Sequence, residues 1–255
     1  MAFRQVNFEH LAKFNSDSAF KLLSAYEGQI LSDIRSECAK PKSRTFAPSC
    51  MRCDRKSWFR LRGVQPDIIS DPDPVLDHTA YIGTALHERI QSALERSLGE
   101  DWIDVEQYIK EHPIGYNCEF TKNGHETLIY IPEIPIKFAC DGIVRINGKY
   151  YLLEIKSSEY DSWNDLTEPK AHHMDQVKTY STILGLPDVL MLYIDRQYGY
   201  VKTYEKSILT LDTMSIKDRF VYVKGMVEKN LAPDRLPQND YMCTNCEYKL
   251  KCREW

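Results

Sequence analysis

The run Tyr150-Tyr-Leu-Leu-Glu154-Ile155-Lys156 constrains this chain more than any other segment. It holds no Gly or Pro and is apolar on both faces until Glu154, so it reads as a strand. Side chains alternate along a strand, so Glu154 and Lys156 share one face while Leu153 and Ile155 share the other. A carboxylate and an ammonium at the end of an otherwise apolar strand need a reason. Upstream, residues 136–146 also read as a strand, with Asp141 beside Gly142 in its middle. Asn147-Gly148 between the two runs is a strong two-residue hairpin signal. Such a hairpin would bring Asp141 near Glu154. Two converging carboxylates suit Mg²⁺ or Mn²⁺, and a nearby Lys suits an attacking water or a developing phosphate charge. Glu-x-Lys also serves as an ordinary surface ion pair, so its meaning depends on what flanks it.

A chain of 255 residues is long enough for one large domain or two small ones. Its 43% hydrophobic and 27% charged residues are those of an ordinary globular protein. A net charge of −4 excludes a non-specific nucleic-acid coat but is compatible with a local basic groove. No apolar run approaches the ~20 residues of a membrane span. The first residues carry no signal-peptide core, so a cytoplasmic, intracellular protein is expected. Eight cysteines in that setting should be reduced, and clusters of them point to metal before disulfide.

Residues 8–38 carry a helical pattern through Leu23, Tyr26, Ile30 and Ile34, with cap candidates over 15–18. A short helix is expected over 51–62, ended by Gly63, and a surface loop over 65–78. Residues 79–98 predict a strong helix with Ile82, Leu86, Ile90 and Leu94 on one stripe and Gly99 as its stop. The chain is strand-like over 117–157, helical over 168–184, and strand-like again over 189–195 and 200–205. A last helix is expected over 209–230. This order suggests one α/β domain with a mixed sheet.

Three motifs flank the strand pair. Before it stands Gly83-Thr-Ala-Leu-His87, with Gly83 and His87 one turn apart on one helix face. A Gly there permits a close approach, and His87 reads either as a ligand or as a hydrogen-bonded residue bordering the core stripe. After it comes Gln176-Val-Lys-Thr-Tyr180, again one turn apart. That pair reads as a nucleic-acid contact or as a solvated face with the Tyr packed on the sheet. Lys170, Lys178, His172 and His173 add positive or titratable charge beside it, which suits phosphate neutralisation and base stacking. The third motif is Cys243-x-x-Cys246 with Cys252 in the tail, opposite Cys50-x-x-Cys53 near the start. Thiolates at that spacing bind one ion or cluster. Cys38, Cys118 and Cys140 have no partner at metal spacing and read as small core or surface residues.

The order Cys, Gly-Thr-x-x-His, Asp, Glu-x-Lys, Gln-x-x-x-Tyr, three Cys resembles the RecB-like branch of the PD-(D/E)xK nucleases. Within it, the chain resembles the CRISPR-associated iron–sulfur exonucleases and related phage exonucleases, and its cysteines resemble those of AddB-type helicase–nuclease subunits as well. The resemblance covers Cys53 to Cys252. It implies a restriction-endonuclease-like mixed central sheet flanked by helices, in a single domain over 1–255. Residues 1–48 would be a helical extension, 79–205 the nuclease core, and 49–63 with 241–255 a cysteine-ligated metal staple joining the two end regions.

By resemblance, His87, Asp141, Glu154 and the Ile155 carbonyl would hold Mg²⁺ or Mn²⁺, with Lys156 as the catalytic lysine. Glu119 would join through a water, and Gln176 and Tyr180 would contact DNA. Cys53, Cys243, Cys246 and Cys252 would bind a [4Fe-4S] cluster, whereas Cys50, Cys53, Cys243 and Cys246 would make a structural Zn²⁺ site. The implied activity is a metal-dependent DNA exonuclease acting on single strands or ends. Recombination and repair, phage DNA metabolism and CRISPR adaptation are the settings it would fit, with proteins of those pathways as partners. A DNA-end-binding assembly subunit and a structure-specific endonuclease are the alternatives. No Walker-type glycine-rich loop is present, so the chain is not itself a helicase.

Overall fold

Asn147 and Gly148 both take positive φ, 52° and 78°, the backbone that a two-residue turn between twisted strands requires. The turn joins Ile146 to Lys149 and sets the register of the hairpin around it. The computed structural model describes residues 17–40, 43–67, 74–244 and 246–254, apart from the side chains of Cys38, Ala39 and Asn123. The helix start expected at 8, the cap candidates 15 and 16, part of the 65–78 loop and the Cys38 thiol lie outside the described residues.

The chain divides into two units, Met1–Pro41 with Ile69–Ala80 and Lys42–Ile68 with Tyr81–Trp255. In the smaller unit, α1 (Asp17–Ala39) carries Tyr26, whose hydroxyl lies 2.6 Å from His78 Nε2 while the rings stack at 5.6 Å. His78 belongs to a helix that starts earlier than its stripe predicts. Pro74 opens it, because a proline at the first helical position lacks only an N–H that would be unpaired there.

The larger unit begins with α2 (Asp54–Leu61) and continues from residue 81 of α3 (Pro74–Leu98). Then come β1 (Trp102–Ile103), α4 (Val105–Glu111), β2 (Glu119–Asn123), β3 (Glu126–Ile131) and β4 (Ile136–Cys140). Next are β5 (Gly142–Ile146), β6 (Lys149–Ser158), α5 (Tyr160–Asn164), α6 (Ala171–Leu184) and β7 (Asp188–Asp195). The unit ends with β8 (Val201–Ser207), α7 (Thr210–Glu228), α8 (Tyr241–Thr244) and α9 (Lys251–Glu254). A five-stranded mixed sheet has the order β1-β5-β6-β7-β8, with only β6 and β7 parallel. The β6–β7 crossover carries α5 and α6, as a parallel pair requires.

A second, antiparallel sheet, β2-β3-β4, corrects the expectation of one sheet. The run 136–146 is two strands, not one: β4 pairs with β3, β5 pairs with β1 and β6, and Asp141 stands at the switch. Gly142 permits it, since a Cβ there would lie 2.7 Å from the Trp102 indole.

One face of the main sheet is covered by α3, whose Ile90, Leu94 and Leu98 pack with Val144, Leu153 and Ile155. Ile82 of the expected stripe is 46% exposed, and Gln91 is buried in its stead. The other face holds the larger core, including Val177, Tyr180 and Ile183 of α6 and Ile216, Phe220 and Val223 of α7. The chain's last turns dock on α2 by ordinary contacts. Arg55 donates to the Pro233 and Cys252 carbonyls at 2.7 and 3.1 Å, and Phe59 stacks on Tyr248 at 5.0 Å. Among the described residues no helix is long and apolar enough to cross a membrane.

Candidate active site

Asp141 lies where two ladders end, and each ladder aims a carboxylate at it. Gly142 pairs with Leu153, so one step on Asp141 faces Glu154. Thr127 pairs with Cys140, so one step on Asp141 also faces Glu126. Asp141 is held on three sides. Its Oδ2 accepts the Ile155 N–H at 2.6 Å, its carbonyl accepts from Gln91 Nε2 at 2.8 Å, and its Oδ1 lies 3.2 Å from His87 Nδ1. A strand residue's N–H and C=O point to the same side, so the Ile155 carbonyl also faces the gap beyond β5. Gly83 lets α3 approach, since a Cβ there would lie 3.1 Å from Ser157 Oγ, and His87 follows one turn later.

Glu154 is 2% exposed, and its Oε2 is buried with no hydrogen-bond partner. Its Oε1 accepts from Lys156 Nζ, which also donates to Gln176 Oε1 at 3.2 Å. A buried, unpartnered carboxylate oxygen is costly unless something charged meets it. Ligand atoms of His87, Glu126 and Asp141 lie within 4.8 Å of one another, the only such group of three among the described residues. The donor set is hard oxygen plus one imidazole, which fits a divalent cation of the Mg²⁺ or Mn²⁺ kind.

Sequence reading missed Glu126 and named Glu119 in its place. Glu119 pairs with Tyr130 and lines a separate cavity of about 290 Å³ with Thr45, Thr121 and Lys137, so it does not join the site. The signal for Glu126 was the pairing of 126–131 with 136–140 across the intervening prolines, which sets residue 126 opposite 141.

The electrostatics follow from burial and crowding. Burial, then the charge of Asp141, pushes Glu154 up to about 7, with Lys156 opposing. Glu126 is raised by the same two causes. Burial alone would lower His87, but its bond to Asp141 and the charges of Asp141 and Glu154 together outweigh this and raise it. Burial with Lys156 and His172 nearby pushes His173 down to about 3, while its Nδ1 lies 2.8 Å from the Tyr193 hydroxyl. His172 is lowered as well, by burial and Lys170. The histidines expected to add positive charge near α6 are therefore neutral at pH 7, and the cations there are lysines.

Gln176 and Tyr180 do share a helix face, and Gln176 Nε2 donates to the Tyr180 hydroxyl at 2.5 Å. Tyr180, however, is 4% exposed and stacked on Phe138 at 5.2 Å. Its ring has no open face, which corrects the expectation that it stacks on a DNA base. Its hydroxyl holds Gln176, and Gln176 holds Lys156.

Cys53, Cys243, Cys246 and Cys252 line one cavity of about 80 Å³ together with Arg55 and Lys56. Cys53 caps α2, its sulfur accepting the Lys56 N–H at 3.4 Å, and burial raises its thiol to about 11. Cys50 is buried outside that lining, beside Ser49. Cys140 is a core residue, and Cys118 is partly exposed.

No protein-family model and no curated protein matches the chain. Solved structures do. The crystal structure of SSO0001 is 17% identical and covers 91% of this chain and 98% of its own, with a TM-score of 0.51. An alkaline exonuclease, LHK-Exo from Laribacter hongkongensis, is 16% identical over 76% of this chain and 93% of its own, with a TM-score of 0.45. Its complex with dAMP gives 17%, 74%, 90% and 0.43. The likeness to the first is one of fold: a mixed α/β chain with a mixed central sheet flanked by helices.

Proposed function

We propose that this chain is a divalent-metal-dependent DNA exonuclease of the PD-(D/E)xK superfamily, RecB-like branch. The observation that carries the reading is the meeting of Asp141 with Glu154, whose Oε2 is buried and unpartnered, beside Lys156. Such an oxygen is understandable if a cation belongs there. His87, Glu126 and Asp141, whose ligand atoms converge, would hold the cation, joined by the unpartnered Glu154 Oε2 and the Ile155 carbonyl. A bound Mg²⁺ or Mn²⁺ supplies a water of lowered pKa and stabilises charge on the phosphate. Lys156 Nζ, held by Glu154 and Gln176, would orient the attacking water.

The cysteine cavity would hold a second group. Cys53, Cys243, Cys246 and Cys252 line it, and a [4Fe-4S] cluster would use all four thiols. Zinc on Cys50, Cys53, Cys243 and Cys246 would need Cys50, which is off the lining.

The test uses end-labelled linear and circular single-stranded DNA with Mn²⁺. Loss from ends that stops with EDTA and in Glu154→Ala is expected. Nicked circles would make it an endonuclease, and retention without cleavage a binding subunit.

A further inference from the structure

With Tyr180 buried, the described site offers no ring to an incoming strand. Four aromatic rings sit together just past the end of β6. Tyr160 and Trp163 of α5 meet Tyr198 and Tyr200 of the β7–β8 turn, with Tyr160–Tyr198 at 4.9 Å and Trp163–Tyr200 at 5.8 Å. Trp163 is nearly buried and anchored, its indole N–H donating to the Tyr193 carbonyl at 3.1 Å and Lys202 Nζ lying 4.3 Å from its ring centroid. Tyr198 and Tyr200 are 59% and 56% exposed.

The turn that carries them is built to hold them out. Asp195 is fully buried, and its carboxylate accepts the backbone N–H of Gln197, Tyr198 and Tyr200 at 2.9, 2.7 and 2.7 Å. Three charge-assisted bonds from one buried aspartate fix a short turn rigidly. The turn is also tied to the catalytic strand, since the Arg196 N–H donates to the Ser158 carbonyl at 2.9 Å. Lys156 pairs with Tyr193 and Ser158 with Asp195, so Lys156 and Asp195 lie on one face of the sheet. Tyr160 follows Lys156 by four positions, at most about 14 Å of extended chain. That is the reach of a few nucleotides.

We propose that Tyr198 and Tyr200 form a platform on which unpaired bases of the nucleic-acid strand stack beside the metal-binding residues, an inference that rests on the nuclease reading. Rigid exposed rings next to a phosphodiester site match single-strand recognition, where bases of any identity stack on aromatics. The surrounding charge is mixed. Arg196 lies 3.9 Å from Glu159, and Asp161, Asp165 and Glu168 follow in the sequence before Lys170, so stacking and not phosphate contact carries the contribution. It should therefore be insensitive to salt, unlike phosphate neutralisation.

The experiment measures binding of a short oligothymidine and of an abasic oligomer of equal length, with Ca²⁺ replacing Mg²⁺, across a salt series, and cleavage of both oligomers when Mn²⁺ replaces Ca²⁺. Wild type should prefer the oligothymidine by roughly tenfold or more. Tyr198→Ala and Tyr200→Ala should each lose about tenfold on the oligothymidine, nothing on the abasic strand, and keep the salt slope. Tyr198→Phe should retain the preference, because the ring face remains. Asp195→Ala, which leaves both rings but frees their turn, should lose it too. If wild type binds and cleaves while both Ala variants match it on each oligomer, the platform is wrong and the nuclease reading stands. If wild type neither binds nor cleaves either oligomer, the nuclease reading fails and the platform with it.

Discussion

Asp141 accepts the backbone N–H of Ile155 through Oδ2 at 2.6 Å, across a sequence separation of 14 residues. The bond locks the loose end of β4 to β6 and turns Oδ1 toward His87. Asp141→Ala would leave a buried N–H without a partner, a cost of about 1–3 kcal/mol. Asp141→Asn keeps an acceptor oxygen but loses the charge. Thermal melts should show Asn near wild type without metal, and neither variant should gain stability from Mn²⁺. A full Mn²⁺ response in Asp141→Asn would remove Asp141 from the ligand set.

Glu154 gives a pH signature. Its carboxyl rises from 4.5 to about 7 in the folded chain through burial and Asp141. The folded state then binds a proton that the unfolded state has released, so stability falls as pH rises from about 4.5 through about 7. Metal-free protein should show that slope, and Glu154→Gln should lack it. Because metal binding needs the carboxylate, the stabilisation by Mn²⁺ should grow over the same window. A Mn²⁺ effect that is flat with pH would count against Glu154 as a ligand.

Tyr180→Ala should act on stability. Removing a buried aromatic costs about 3–5 kcal/mol, and denaturant unfolding should read that loss while strand binding by the folded fraction is unchanged. Tyr180→Phe keeps the packing and frees only Gln176, so its cost should be small. An oligonucleotide-binding defect in stably folded Tyr180→Phe would restore a direct contact.

Gly142→Ala places a methyl 2.7 Å from the Trp102 ring. Overpacking of this kind costs about 1–3 kcal/mol. Trp102→Leu in the same chain should recover part of it, and a double-mutant cycle measures the coupling. Strict additivity would mean that the strand switch at Asp141 does not depend on this contact.

The cysteine cavity should hold colour. Anaerobically purified protein is expected to be brown, with iron and acid-labile sulfide. Cys252→Ala should lose colour and solubility together, while Cys50→Ala keeps both. Colourless protein with one zinc per chain, damaged by Cys50→Ala, would reverse the assignment.

The hairpin was legible because its causes are local. Asn147-Gly148 demands positive φ, and the alternation of residues 150–156 sets which side chains share a face. The helix stops at Gly63 and Gly99 were readable for the same reason, each taking the left-handed conformation. The pairing of Asp141 with Glu154 followed directly from that local register.

What the sequence by itself determined is therefore element type, the hairpin register and the carboxylate–lysine set on one strand face. The tertiary structure alone decided the rest, because it depends on which surfaces meet. Glu126 enters the site only because β3 pairs with β4 while β5 pairs elsewhere. The helical spacing of Gln176 and Tyr180 is the same whether the ring faces solvent or Phe138. Cys50 and Cys53 are equivalent in spacing, and the packing of the tail on α2 separates them. Local preference selects a backbone conformation; pairing between distant segments selects the neighbours, and no short window of sequence contains both partners.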